Sequence, residues 1–185
     1  MVYVRPSPPP GRILQALGLP TGARTLASTP VSFDPAGPAT GWLVVTTRGL
    51  GIGQAPDKIR LSHTDWNGIE WITLKRLPDC PKRGSAAWLK IHLVDQSPTR
   101  QIVLPNAGKR VASVIHERFE ASIVTVEYLP VAGGTLRGAL RRDHNQDLEV
   151  QVTVPDELDA QAPEVKAAVQ YLAQRLGEAA GLRTW

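Results

Sequence analysis

One cysteine, Cys80, is all that this sequence holds, so it can form neither an internal disulfide nor a cysteine-based zinc site. A reducing compartment is the simpler expectation, and we read the chain as cytoplasmic. Apolar runs of membrane-spanning length are also missing, so no membrane span is expected. The N-terminal MVYVRPSPPPGR lacks the apolar core of a signal peptide, which argues against export. Charge of one sign is scarce as well. The 21 Lys+Arg stand against 17 Asp+Glu, and the resulting +4 does not by itself mark a nucleic-acid binder, whose basic residues gather on one face. No repeat of useful period is present.

What is there suits a folded domain. Apolar residues at 42% and charged residues at 21% are ordinary for a globule, and 185 residues can bury a proper core. Pro6–Gly11 favours an extended polyproline conformation, so residues 1–10 read as a flexible tail and 11–185 as a single domain.

Ile13, Leu14 and Leu17 have helical spacing before Gly18, and Arg24–Phe33 reads as a strand. The stretch Gly41–Leu77 reads as successive strands with a Thr46-Thr47-Arg48-Gly49 turn-over. Within it, Ile59–Trp66 and Ile69–Leu77 form an expected hairpin across Asn67-Gly68, the dipeptide best suited to a type I′ turn. Pro78–Ser85 reads as a loop. Ala87, Leu89, Ile91 and Leu93 then alternate with Trp88, Lys90 and His92, giving one buried face and one partly wet. Arg100–Leu104 is a short strand, and Asn106 caps a helix running to about Phe119. Ser122–Leu129 pairs with Thr135–Arg142, and Leu148–Val154 is a half-buried strand. Pro163 opens a terminal helix with Val165, Ala168, Val169, Leu172 and Leu176 in one stripe. The order implies an α+β fold: a bent antiparallel sheet or partly open barrel, with an internal helix and a C-terminal capping helix.

Gly49, Gly51 and Gly53 imitate a phosphate loop, but Gln54-Ala55-Pro56-Asp57 follows where a helix with Lys and a hydroxyl residue is needed. Spaced two apart on a strand, these glycines share a face, which suits a bulge or the close approach of an aromatic such as Trp66 or Trp71. Ser113 and His116 lie three apart on a helix, in no nucleophile elbow. His63, His92, His116 and His144 sit on separate elements without paired spacing. Asp57, Asp65 and Glu70 flank strand ends, as turn-forming carboxylates do. No catalytic residue, metal ligand or cofactor site is expected. Basic clusters occur at Lys75-Arg76, Lys82-Arg83, Lys109-Arg110, and Arg137 with Arg141-Arg142; the first two and the last would make an anion-attracting rim if gathered at one end of the sheet, and Trp66, Trp71 and Trp88 a stacking platform.

GWLVVTTRGLGIG followed by DKIRLSHTDWNGIEWITLKRL resembles the bacterial pleckstrin-homology-like pattern: a strand ending in a Thr-x-Arg-x-Leu turn-over, then an Ile-led strand entering a hairpin. LQALGLPTGARTLAS, LPNAGKRVASVIHERFEASIV and the paired arginines 141–142 resemble a group of small actinobacterial proteins, over about Leu14 to Leu176. The resemblance implies a bent antiparallel barrel plugged by a C-terminal helix, working as a binding or scaffolding module. The helix at Asn106–Phe119 and the strands after it are extra to a minimal seven-strand plan.

Three function classes follow. The first is a non-enzymatic domain binding a protein partner or an anionic ligand, through a surface including Arg48, Trp66, Trp71, Lys75, Arg76, Arg141 and Arg142. The second is a nucleic-acid-associated protein using basic rims and tryptophans. The third is a metal-dependent hydrolase with dispersed ligands.

Overall fold

Short alternating segments punctuated by Gly- and Pro-rich turns leave room for few helices, and strands dominate the chain accordingly. A computed structural model describes residues 11–35, 37–54, 61–77, 86–95, 97–104 and 109–182. The 1–10 tail, the Pro78–Ser85 loop with Cys80 and Lys82-Arg83, Asp57, Ile59 and the Asn106 cap lie outside them. The chain divides into two compact units, Met1–Phe119 and Glu120–Trp185.

The first unit opens with α1 (Gly11–Ala16), which ends at Gly18 in a left-handed conformation that glycine adopts without strain, φ 50°. Four strands follow, β1 (Thr25–Val31), β2 (Gly41–Thr46), β3 (Gly49–Gln54) and β4 (Leu61–Asp65), in an antiparallel sheet of order β1-β2-β3-β4. Three more, β5 (Ile69–Arg76), β6 (Ala87–Leu93) and β7 (Arg100–Leu104), form a second antiparallel sheet, β5-β6-β7. The chain passes from one sheet to the other through a 3-10 turn at Trp66–Gly68, and a bridge between Ser32 and Val103 ties the end of β1 to β7. The helix α2 (Lys109–Ala121) buries Val111, Ile115 and Phe119 on one stripe. Neither sheet closes on itself among the described residues.

The expected Asn67-Gly68 hairpin does not form. Among the described residues β4 pairs only with β3, and β5 with β6. A type I′ turn needs positive φ at both central residues, and neither Asn67 nor Gly68 has it. Trp66 decides the matter. Its side chain is 6% exposed, its indole N–H donates to the Thr46 carbonyl at 3.3 Å, and its backbone N–H donates to the Arg48 carbonyl at 3.0 Å. Burying so large an apolar group with its one donor satisfied outweighs the local preference of a turn dipeptide.

The glycine stripe is structural, as its spacing implies, but neither Trp66 nor Trp71 fills it; Leu17 does, with Trp42, the cross-strand partner of Gly53, packed beside it. A Cβ at Gly51 would meet the Leu17 δ-carbons at 3.0 and 3.1 Å, and Leu17 packs with Val44 in a small cluster on that face. A Cβ at Gly49 would strike the Thr64 backbone. The glycines thus let α1's trailing leucine and the neighbouring strand lie close to β3.

In the second unit, β8 (Ile123–Val131), β9 (Gly134–Arg142) and β10 (Leu148–Thr153) make an antiparallel sheet of order β10-β9-β8. The β8–β9 turn is Ala132-Gly133, with Gly133 at φ 89°. The helix α3 (Pro163–Ala179) starts with proline at its first turn and lays Val165, Leu172 and Leu176 on the sheet around Leu136. Gly138 makes this approach feasible, since a Cβ there would stand 2.6 Å from Leu176 Cδ1. The helices α2 and α3 fall where the apolar spacing puts them, and the described residues are α+β with antiparallel sheets.

Candidate functional site

A strand shows alternate residues to opposite faces, and antiparallel partners share a face. In the second sheet Trp71 pairs with His92, Thr73 with Lys90 and Lys75 with Trp88, while Lys90 and Trp88 continue to Gln101 and Val103 on β7. These side chains therefore form one face, with the buried Leu89, Ile91 and Ile102 on the reverse. Trp71 is 49% exposed; Thr73, Lys75 and Gln101 are exposed, Trp88, Lys90 and His92 half-buried, and Val103, at the end bridged to Ser32, is buried. No carboxylate occurs among these cross-strand partners.

Trp71 reaches this face because of a bulge. Ile69 pairs with Leu93 on the buried side, but the register shifts between Ile69 and Trp71. An extra residue reverses the alternation, so Trp71, Thr73 and Lys75 turn outward where an unbroken strand would carry them inward with Ile69.

The exposed indole is also held. Trp71 and His92 meet edge to face, with ring centroids 4.9 Å apart and planes at 77°. The Thr99 hydroxyl lies 3.1 Å from His92 Nδ1. Thr99 is brought back by the turn after β6, where the Asp95 carboxylate accepts from the Ser97 N–H at 3.0 Å. That hydrogen bond holds the Asp95 carboxyl pKa below its ordinary value.

The seven residues singled out from sequence divide sharply. Trp71 and Lys75 share the face just described, whereas Arg76, also exposed, alternates to the reverse one. Trp66 is buried and offers a ligand no surface. Arg48 works as a tether: its Nη1 donates to the Thr21 carbonyl at 3.1 Å, beside a turn closed by the Thr46 hydroxyl, which accepts from the Arg48 and Gly49 N–H groups at 3.1 and 2.9 Å. Arg141 and Arg142 belong to the second unit. Arg142 is exposed and donates to Gln146 at 3.2 Å. Arg141 is fully buried and donates through Nη2 to the Ser122 hydroxyl at 3.0 Å. Burial pulls its pKa down to about 10, with Arg137 adding to the lowering and Glu149 and Glu120 opposing it. It remains charged at neutral pH, as a structural group and not a surface one. Sequence reasoning left Lys90, His92, Thr99 and Gln101 out of the site; the alternation of β6 was the signal for the first two.

The other chemical candidates do not converge. His63, His92, His116 and His144 lie on β4, β6, α2 and the β9–β10 loop, and no group of three His, Cys, Asp or Glu suited to a metal ion occurs among the described residues. Ser113 and His116 are exposed on α2. His63 sits on the glycine face of the first sheet, its Nδ1 3.4 Å from Asp65 Oδ1. Burial lowers its pKa, the Asp65 carboxylate opposes this, and Arg48 adds to it.

A depressed imidazole has a definite consequence for stability. The unfolded chain takes up a proton as pH falls through about 6.5, and the folded chain resists it. Stability is therefore full above that pH and declines below it, down to the folded pKa. Urea midpoints at about pH 7.5 and about pH 5 should differ less in His63→Gln than in the original protein. An equal difference in both would show that another group carries the acid sensitivity.

Comparison with known proteins finds no matching family model and no matching curated protein.

Proposed function

We propose that this chain is a non-enzymatic binding module whose first unit follows a pleckstrin-homology-like plan and whose β5–β6 face takes an anionic ligand. The plan is supported by a seven-strand meander, four strands then three, joined at the Trp66–Gly68 turn and bridged from Ser32 to Val103. A helix with a buried apolar stripe follows it. The single cysteine favours a reducing, cytoplasmic setting.

One observation carries the ligand reading: Lys75, Lys90 and His92 occupy one face whose cross-strand partners include no acid. Lysines gathered this way give a local positive field that the modest net charge conceals. Inorganic polyphosphate, an anion without apolar groups, is the simplest probe. Calorimetric titration at about 50 mM salt should show binding that weakens steeply by about 200 mM. The double variant Lys75→Glu/Lys90→Glu should lose it by at least about tenfold, since like charges then face the probe. Absence of binding to the original protein, or equal binding by the variant, would refute the proposal.

A further inference from the structure

Simple anions need lysines but no tryptophan, and on this face the tryptophan is both exposed and fixed. Trp71 keeps half its surface open while His92 abuts it edge to face and Thr99 in turn contacts His92. An indole already held in one orientation loses little conformational freedom when a flat group settles on it. Such a group gains stacking contact whatever its hydrogen-bonding pattern.

The cations stand at matching intervals. Residues alternate on one face every ~6.6–6.8 Å, so Trp71, Thr73 and Lys75 cover about 13 Å of β5. Lys90 flanks the middle of this row from β6, opposite Thr73, and Trp88 flanks its far end, opposite Lys75. An extended polyanion laid along β5 would meet an aromatic plane first and positive charge within the next few residues. Acidic peptides supply the charge but rarely a flat ring at each step. A single-stranded nucleic acid supplies both at every unit, and an open antiparallel sheet carrying aromatics is a surface on which two or three bases stack.

We propose that the β5–β6 face binds single-stranded nucleic acid, stacking a base on Trp71 and holding adjacent phosphates with Lys75 and Lys90. This rests on the anion-binding reading of the same face, and the test separates the two. A fluorescently labelled oligothymidylate of about 12 nucleotides is titrated with the full chain and followed by anisotropy, alongside polyphosphate and a poly-glutamate peptide. Trp71→Ala, at an exposed position, should keep the far-ultraviolet circular dichroism of the original. It should weaken oligothymidylate binding about 5- to 150-fold, as loss of one stacked base does, and leave polyphosphate binding unchanged. The slope of log affinity against log salt should be about −1.4, for two phosphates on a single strand, and flatter in Lys75→Ala. Equal affinity for oligothymidylate and polyphosphate with no effect of Trp71→Ala would overturn the nucleic-acid assignment and leave anion binding standing. Preference for poly-glutamate would overturn it in favour of an acidic protein segment. Failure of all three probes would remove both readings.

Discussion

Gly49→Ala should unfold the first unit or come close, with a loss of about 3 kcal/mol or more, at the top of the range for overpacked cores. The added methyl would be driven into the Thr64 carbonyl oxygen, 2.7 Å from its carbon and 2.8 Å from the Asp65 Cα. All three are backbone atoms of β4 and cannot rotate away. Relief requires β4 to move off β3, which breaks ladder hydrogen bonds and displaces the chain entering the Trp66 turn. Gly51→Ala is the control on the same strand. The three atoms nearest its methyl would all belong to the Leu17 side chain, which can shift by a few tenths of an ångström. Urea denaturation should show Gly51→Ala within about 1.5 kcal/mol of the original and Gly49→Ala far below it. Similar losses for the two would mean that β3 and β4 lie farther apart than described.

Trp66→Ala is expected to cost about 3–5 kcal/mol, the range for emptying a large aromatic site. Two things are lost at once: a nearly fully buried indole, and the donor to the Thr46 carbonyl. Trp66→Phe separates them. It keeps most of the apolar area and removes the N–H, so its cost should fall to about 1–3 kcal/mol, that of a buried acceptor left without its donor. Thermal unfolding monitored by circular dichroism would rank the three proteins as original, Phe, Ala. An alanine variant as stable as the phenylalanine one would show that the indole's bulk does not hold this corner.

The contrast between Trp66 and Trp71 shows where the sequence is readable and where it is not. Both look alike along the chain, five residues apart and beside acidic neighbours. One is core and the other surface because of a 3-10 turn and a bulge, and neither has a local signature that outweighs Asn-Gly. The strands and helices with an uninterrupted period were legible: β6 and β10 by alternation, α3 by its stripe and opening proline, α2 by its apolar spacing. Pairing was not, where it depended on what the chain could bury at Trp66. The candidate face suffered from the same gap. Trp88, Lys90 and His92 were visible as one side of a strand, but their register with Trp71, Thr73 and Lys75 comes from the β5–β6 ladder alone. Arg141 was misread for a related reason. A pair of arginines at a strand end looks like a solvated cluster, and only the sheet's alternation reveals that one points out and its neighbour in.

The Ser32–Val103 bridge bears on how the first unit assembles in time. Each sheet pairs only strands adjacent in the sequence among the described residues, so its pairings are local and can form early. The bridge is different: its residues are 103 − 32 = 71 apart, yet they exchange two backbone hydrogen bonds, of 3.2 and 2.7 Å. Closing so long a segment has an entropic cost that grows only logarithmically with length, and most of it is already met once the intervening hairpins are in place. The two sheets are thus expected to form first, with the bridge as the late step that commits them to one another.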